Sequence, residues 1–131
     1  MKAPIRVLFV EDDNEMSAIY KENFLGPEFE ITTAGNGREA LDLVNRTGAR
    51  FDVVVTDNWM PEMNGMNLLR EIHQLHPDLK VILVTGYGNW SEYVDAHNLG
   101  VYRFLDKPVK MSELKGMIRG LFKEGYGPAQ K

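Results

Sequence analysis

Cysteine is missing from the 131 residues, and its absence excludes several kinds of site. Without a thiol, the chain has no disulfide framework, no thiolate metal site and no cysteine nucleophile. Positive charge is also not in excess, because the formal net charge is −4 and the lysines and arginines are scattered along the chain. Direct nucleic-acid binding by this chain is therefore not expected.

The N-terminus lacks the features of a targeting or membrane segment. In MKAPIRVLFVEDD a short apolar run is followed at once by acids, and no small-residue cleavage site is present. A chain of 131 residues with 44% apolar and 26% charged residues is typical of one globular domain. We therefore expect a cytoplasmic domain that does not enter a membrane.

Short apolar runs alternate with amphipathic segments of helical length. Continuously apolar strands that are each followed by a helix indicate a parallel sheet covered on both faces. Five such units predict an α/β fold with an open, doubly wound, five-stranded sheet rather than a closed barrel. The predicted strands span 5–10, 29–33, 51–56, 81–84 and 101–105, and the first and fourth helices span 14–25 and 90–99.

Polar residues follow four of these strands at their carboxyl ends, where open α/β sheets bind ligands. Clustered carboxylates without a cation repel one another, and Mg²⁺ is the ion that suits oxygen ligands beside a phosphate. A lysine and a threonine at the same edge can contact phosphoryl oxygens, so the set matches phosphoryl transfer. The residues at the strand ends are Glu11, Asp12, Asp13, Asp57, Thr85, Asp106 and Lys107.

Four segments together resemble the receiver domains of bacterial two-component response regulators. They are VLFVEDD, DVVVTDNWMPEMNG, VILVTG and YRFLDKPV, and the similarity extends over residues 4–122. The resemblance implies the flavodoxin-like fold with strand order 2-1-3-4-5. It predicts a receiver domain over residues 1–124, with 125–131 as a tail or the start of a linker.

The resemblance also implies a role for each matching residue. Asp57 corresponds to the phosphoacceptor, which takes a phosphoryl group from a histidine kinase or a phosphotransfer protein. Thr85 and Lys107 correspond to the residues that contact this group, and Phe104 to the aromatic residue that switches its rotamer. Pro108 is expected to follow a cis bond. The implied Mg²⁺ ligands are Glu11, Asp12, Asp57 and the backbone carbonyl of Trp59.

Phosphorylation is expected to change a surface made of the fourth helix, fifth strand and fifth helix. This surface is the expected contact for an output domain or a second copy of the chain. Three residues are predicted to control access to the phosphoryl site, namely Trp59, Gly86 and Tyr87. Because Trp59 and Tyr87 are bulky, we predict slow self-dephosphorylation. The surface is predicted to include Trp90, Tyr93, His97, Tyr102 and Lys110.

Other interpretations of the strand-end residues remain open. The chain could be a degenerate receiver that serves mainly as a protein-interaction module. A Mg²⁺-dependent phosphatase with an aspartyl nucleophile is disfavoured because such enzymes resemble DxDxT, whereas Asn58 and Trp59 follow Asp57 here. A flavin carrier is disfavoured because acids, rather than a Ser/Thr/Gly-rich loop, follow the first strand. As a receiver, the chain is not an enzyme in the ordinary sense, since it catalyses only its own phosphorylation and dephosphorylation.

Two further predictions concern residues with simpler structural roles. Asp13 is a candidate N-cap for the first helix. The three histidines are predicted to face solvent rather than to bind a metal, although His73 and His76 lie three positions apart on one helix.

Overall fold

The computed structural model describes residues 3–46, 50–60, 62–86 and 90–122, apart from the side chains of 90 and 91. Five strands alternate with five helices along this part of the chain. The strands are β1 Ile5–Val10, β2 Phe29–Ala34, β3 Val53–Asp57, β4 Lys80–Thr85 and β5 Arg103–Asp106. The helices are α1 Asn14–Asn23, α2 Gly37–Asn45, α3 Gly65–Leu75, α4 Trp90–Asn98 and α5 Met111–Arg119.

All five strands are parallel, and their order in the sheet is β2-β1-β3-β4-β5. The predicted fold class and strand order are therefore confirmed. The central strand β3 is buried along its whole length, as expected for a strand covered on both faces. Its register pairs Thr56 with Val10 and Asp57 with Val84, so neighbouring strands end at the same edge.

Two hydrophobic cores cover the two faces of the sheet. Helices α1 and α5 pack on one face, where Phe9 stacks on Tyr20 with ring centroids 4.2 Å apart and Phe24 meets Phe9 edge-on. Helices α2, α3 and α4 pack on the other face through smaller aliphatic side chains such as Leu68 and Ile72. Burying one such large side chain contributes about 1.5–3 kcal/mol, so the two cores hold the strand ends in fixed positions.

Several predicted boundaries are wrong by one or two residues. The third strand begins at Val53 rather than residue 51. Just before it, the Asp52 N–H donates to the Arg6 carbonyl, and the Asp52 carboxylate accepts the Arg6 N–H. The same strand extends to Asp57, since pairing with Val84 continues that far. The fifth strand begins at Arg103 rather than residue 101, and α1 and α4 end at Asn23 and Asn98.

The helix starts follow the expected capping chemistry. Asp13 is the N-cap of α1, and its Oδ1 accepts hydrogen bonds from the N–H groups of Glu15 and Met16, so this prediction is confirmed. Asn36 and Asn64 cap α2 and α3 in the same way. Each such cap contributes about 1 kcal/mol.

Two of the sequence predictions concern residues that the structure does not describe. The tail at 125–131 lies outside the described residues, as does Tyr87. Within the described ranges, no helix has the length and apolar character needed to cross a bilayer.

Candidate functional site

The carboxyl edge of the sheet brings together side chains from four strand ends. Glu11 directly follows β1, where its N–H donates to the Ala34 carbonyl. Asp57 ends β3 and Thr85 ends β4. Lys107 follows β5 and is tied to the neighbouring strand, because its N–H donates to the Thr85 carbonyl at 3.0 Å. The parallel topology thus places residues that are far apart in sequence at one edge.

Three carboxylates lie close enough to share one ion. Oxygen atoms of Glu11, Asp12 and Asp57 all fall within 4.8 Å of one another. Glu11 and Asp57 are buried, whereas Asp12 is exposed. Burial, and next the charge of Asp57, raise the pKa of Glu11 from its usual 4.5 to about 7. The donors are all hard oxygens and their charges repel one another, so the cluster fits a divalent cation such as Mg²⁺.

Lys107 offsets part of this negative charge. Its Nζ lies 3.2 Å from Asp57 Oδ1, and the Trp59 N–H approaches the same oxygen at 3.4 Å. The peptide bond between Lys107 and Pro108 is cis, as the resemblance implied. The ammonium group therefore lies where it can contact both Asp57 and an anion bound to it.

Thr85 has a buried hydroxyl without a hydrogen-bond partner among the described residues. The residue is 2% exposed, and no protein group of the described part of the chain reaches its Oγ1. An unsatisfied buried hydroxyl costs about 1–3 kcal/mol, so it marks a position where a ligand oxygen is expected. Gly86 follows it, and a Cβ built there would lie 3.5 Å from Lys107 Cδ, so an alanine would also fit.

Phe104 is half-buried on β5 and contacts α4. Its ring meets the Tyr93 ring edge-on, with centroids 4.8 Å apart. The Tyr93 hydroxyl donates to Asp106 Oδ1 at 2.9 Å. This bond raises the pKa of Tyr93. One tyrosine of α4 therefore holds the helix to β5 by two separate contacts.

A groove of about 710 Å³ opens on one side of the acids. It runs between α1 and the segment that leads from β5 into α5, and most of its wall is apolar. The groove was not predictable from the sequence, because the residues of its walls lie far apart along the chain. The groove is lined by Glu11, Asp13, Met16, Ile19, Tyr20, Gly86, Lys107, Pro108, Val109 and Met111.

The other residues singled out from the sequence include two aromatic residues and the three histidines. Trp59 is 63% exposed, while Tyr87 lies outside the described residues. His73 and His97 are exposed as predicted, and His76 Nε2 lies 2.6 Å from Asn45 Oδ1. Asn58, which sequence analysis left without a role, is buried directly beside Asp57.

Comparison with known proteins identifies the family. Residues 7–119 match the family model described as response regulator receiver domain. A CheY-like receiver domain protein from Methanospirillum hungatei is similar at a TM-score of 0.83 and 29% identity, over 89% of this chain and 92% of that one. A chain of the CheX–CheY–BeF3–Mg complex from Borrelia burgdorferi is similar at a TM-score of 0.82 and 26% identity, over 92% and 91% of the two chains.

Curated relatives are much longer than this chain. The sensor kinase CckA of Brucella abortus is 34% identical over 121 residues, which make up 90% of this chain and 12% of the kinase. Across three such relatives the chain spans between 12% and 24% of their length. With the strand order and the acidic edge described above, the family match shows that the chain belongs to the response regulator receiver domains of two-component signalling.

Proposed function

We propose that the chain is a phosphoacceptor switch in which Asp57 receives a phosphoryl group from a histidine kinase or a phosphotransfer protein. The observation that carries this proposal is the arrangement around Asp57. A nucleophilic carboxylate lies 3.2 Å from the Lys107 ammonium, within an acidic cluster suited to a divalent cation. The Thr85 hydroxyl, which has no hydrogen-bond partner among the described residues, belongs to the same edge.

The transfer itself is a displacement at phosphorus. One carboxylate oxygen of Asp57 forms a new bond to the phosphorus of the donor's phosphohistidine. The phosphorus–nitrogen bond breaks, and the imidazole nitrogen leaves with the electron pair. Lys107 contacts a phosphoryl oxygen and balances its charge, while the Thr85 hydroxyl donates to another phosphoryl oxygen.

Asp12, Asp57 and the Trp59 carbonyl are the proposed ligands of a Mg²⁺ ion, with Glu11 beside them. When bound, this ion neutralises carboxylate charge and orients the phosphoryl oxygens. Of the acidic pair, Asp12 is the proposed direct ligand, as the resemblance to receiver domains implies. The protein supplies the fixed geometry for Asp57 and Asp12, since Asp57 ends β3 and Asp12 lies just past β1, and the two cores hold both strands in place.

The signal leaves the site through Thr85 and Phe104. Once Thr85 turns toward the phosphoryl group, Phe104 can move into the space beside it and away from Tyr93. The surface formed by α4, β5 and α5 then differs between the two states, and an output domain or a second copy of the chain can distinguish them. We propose that the receiver domain comprises residues 1–124, with 125–131 as a tail or the start of a linker.

Acetyl phosphate tests the acceptor chemistry without a kinase. The protein is incubated with Mg²⁺ and acetyl phosphate, and its intact mass is measured. We expect the mass of one phosphoryl group to be gained, to be lost in base, and to be absent with a chelator or in Asp57→Asn. A folded, Mg²⁺-binding protein that gains no mass would overturn the proposal. Continuous hydrolysis of a phosphomonoester would instead favour the phosphatase.

A further inference from the structure

We propose that Asn58 is a positioning residue, whose buried side chain fixes the backbone carbonyl of Trp59 for metal binding. It acts by closing the loop that joins β3 to α3. This inference rests on the proposed function, because it takes the Trp59 carbonyl as a metal ligand. It assigns a role to the residue between the phosphoacceptor and that carbonyl.

Asn58 is 6% exposed and makes hydrogen bonds with its N–H, its carbonyl and its side chain. Its N–H donates to the Val84 carbonyl at 3.1 Å, which holds it to β4. Its carbonyl accepts the Gly65 N–H at 3.0 Å, and its Oδ1 accepts the Met66 N–H at 3.2 Å. The last two bonds join the two ends of the loop.

The first turn of α3 lies directly against this backbone. A Cβ built on Gly65 would come within 2.5 Å of the Asp57 carbonyl oxygen and 2.8 Å of Asn58 Cα. The far side of the loop is held as well, because the Met63 carbonyl accepts the Gly37 N–H at 3.2 Å. Trp59 therefore lies on a loop whose two ends are joined, and among the described residues the Asn58 side chain supplies one of the bonds that join them.

The choice of an amide at this buried position has a chemical reason. An apolar side chain there would leave the Met66 N–H without the acceptor that Asn58 Oδ1 provides at the start of the helix. Mg²⁺ requires near-octahedral ligands at about 2.0–2.1 Å, so a small displacement of a ligating carbonyl weakens binding. Residues that orient metal ligands commonly change metal affinity by about 10–100-fold when they are replaced.

The structure offers a matched control on the same helix. Asn64 Oδ1 accepts the Asn67 N–H at 2.9 Å, which is the same kind of bond one residue further along α3. Asn64→Ala removes a helix cap without touching the residue next to Trp59. Asn58→Leu removes the bond between the Asn58 side chain and the Met66 N–H, and it keeps a side chain of similar size.

Calorimetric Mg²⁺ titration and thermal unfolding are measured for the parent protein and both variants. We expect both variants to lose about 1 kcal/mol of stability, as for other lost caps. Only Asn58→Leu should bind Mg²⁺ more weakly, by about tenfold. In a Trp90→Phe background, which leaves Trp59 as the single tryptophan of the two in the chain, its fluorescence anisotropy should fall only in Asn58→Leu.

Each outcome separates the inference from the function on which it rests. Equal Mg²⁺ affinity in Asn58→Leu and the parent overturns the role of Asn58 alone. Equal weakening in both variants also overturns it, because any loosening of the α3 start would then suffice. A parent protein without saturable Mg²⁺ binding overturns the proposed function and the inference together. If Asn58→Leu does not fold, Asn58→Ser is used, since its shorter side chain cannot reach Met66.

Discussion

Glu11 is a buried carboxylic acid at the carboxyl edge of the sheet, close to a second buried acid, Asp57. Its pKa is raised to about 7 by burial and then by the charge of Asp57. The folded protein therefore holds a proton between about pH 4.5 and 7 that the unfolded chain releases. Without metal, the contribution of Glu11 to stability is fully present below about pH 4.5 and is lost as the pH rises through about 7.

Mg²⁺ binding should show the opposite dependence on pH. A bound cation favours the ionised form of Glu11, so the affinity for Mg²⁺ should rise as this proton leaves and should level off above about pH 7. Calorimetric titrations from about pH 5.5 to 8 measure this dependence, and Glu11→Gln is the control that lacks the titrating group. An affinity that is constant over this range in the parent protein contradicts the raised pKa.

Trp59 is the residue whose side chain is proposed to control the lifetime of the phosphorylated state. Its backbone N–H lies 3.4 Å from Asp57 Oδ1, and Trp59 is largely exposed to solvent. We expect Trp59→Ala to speed loss of the phosphoryl group by about threefold or more, because water gains an open approach to phosphorus. The decay of the phosphoprotein, followed by intact mass, measures it.

The matched variant is Trp59→Phe, which keeps an aromatic ring at the position and should decay more slowly than Trp59→Ala. If Trp59→Ala has the half-life of the parent, and adding Tyr87→Ala also leaves it unchanged, the aromatic residues do not limit the approach of water.

At the scale of the elements, α4 and α5 are attached to the rest of the protein in different ways. Arg119 of α5 forms two hydrogen bonds with the Glu28 carboxylate, at 2.6 and 2.7 Å, and buried Leu114 and Ile118 anchor the same helix in the core. Among the described side chains of α4, Ala96 is buried and Tyr93 bonds to β5. We therefore expect α4 to respond more readily than α5 when Phe104 moves.

Tyr93→Phe tests this attachment of α4. The variant keeps the ring against Phe104 but removes the hydroxyl that donates to Asp106. If this bond favours the unphosphorylated arrangement, its loss should raise the affinity for beryllofluoride with Mg²⁺ by about twofold or more, since the two equilibria are linked. Beryllofluoride serves here as a stable mimic of the phosphoryl group.

Tyr102→Phe is the control for Tyr93→Phe, because it removes another tyrosine hydroxyl near β5 that does not bond to Asp106. Asp106→Asn should behave like a partial loss of the same bond. Unchanged or weaker beryllofluoride binding in Tyr93→Phe would show that the bond does not restrain the switch.

At the scale of the whole molecule, part of the site around Asp57 follows from the order of strands and helices in the sequence, and part does not. The carboxyl ends of parallel strands share one edge, so the meeting of Glu11, Asp57, Thr85 and Lys107 could be predicted without coordinates. The strand order required the resemblance to a family. The Tyr93–Asp106 bond was not predictable, because apolar periodicity does not specify which helical side chain reaches a neighbouring strand. The role of Asn58 was hidden for a similar reason, since its partner lies across a closed loop.

The most direct test of the central claim is to locate the phosphoryl group on the chain. The protein is treated with Mg²⁺ and acetyl phosphate and then with borohydride, which reduces an aspartyl phosphate to a stable alcohol. Tandem mass spectrometry of the digested protein then shows which carboxylate has been reduced. We expect the reduced side chain at position 57 alone. Reduction at Asp12 or another carboxylate, with Asp57 unmodified, would contradict it.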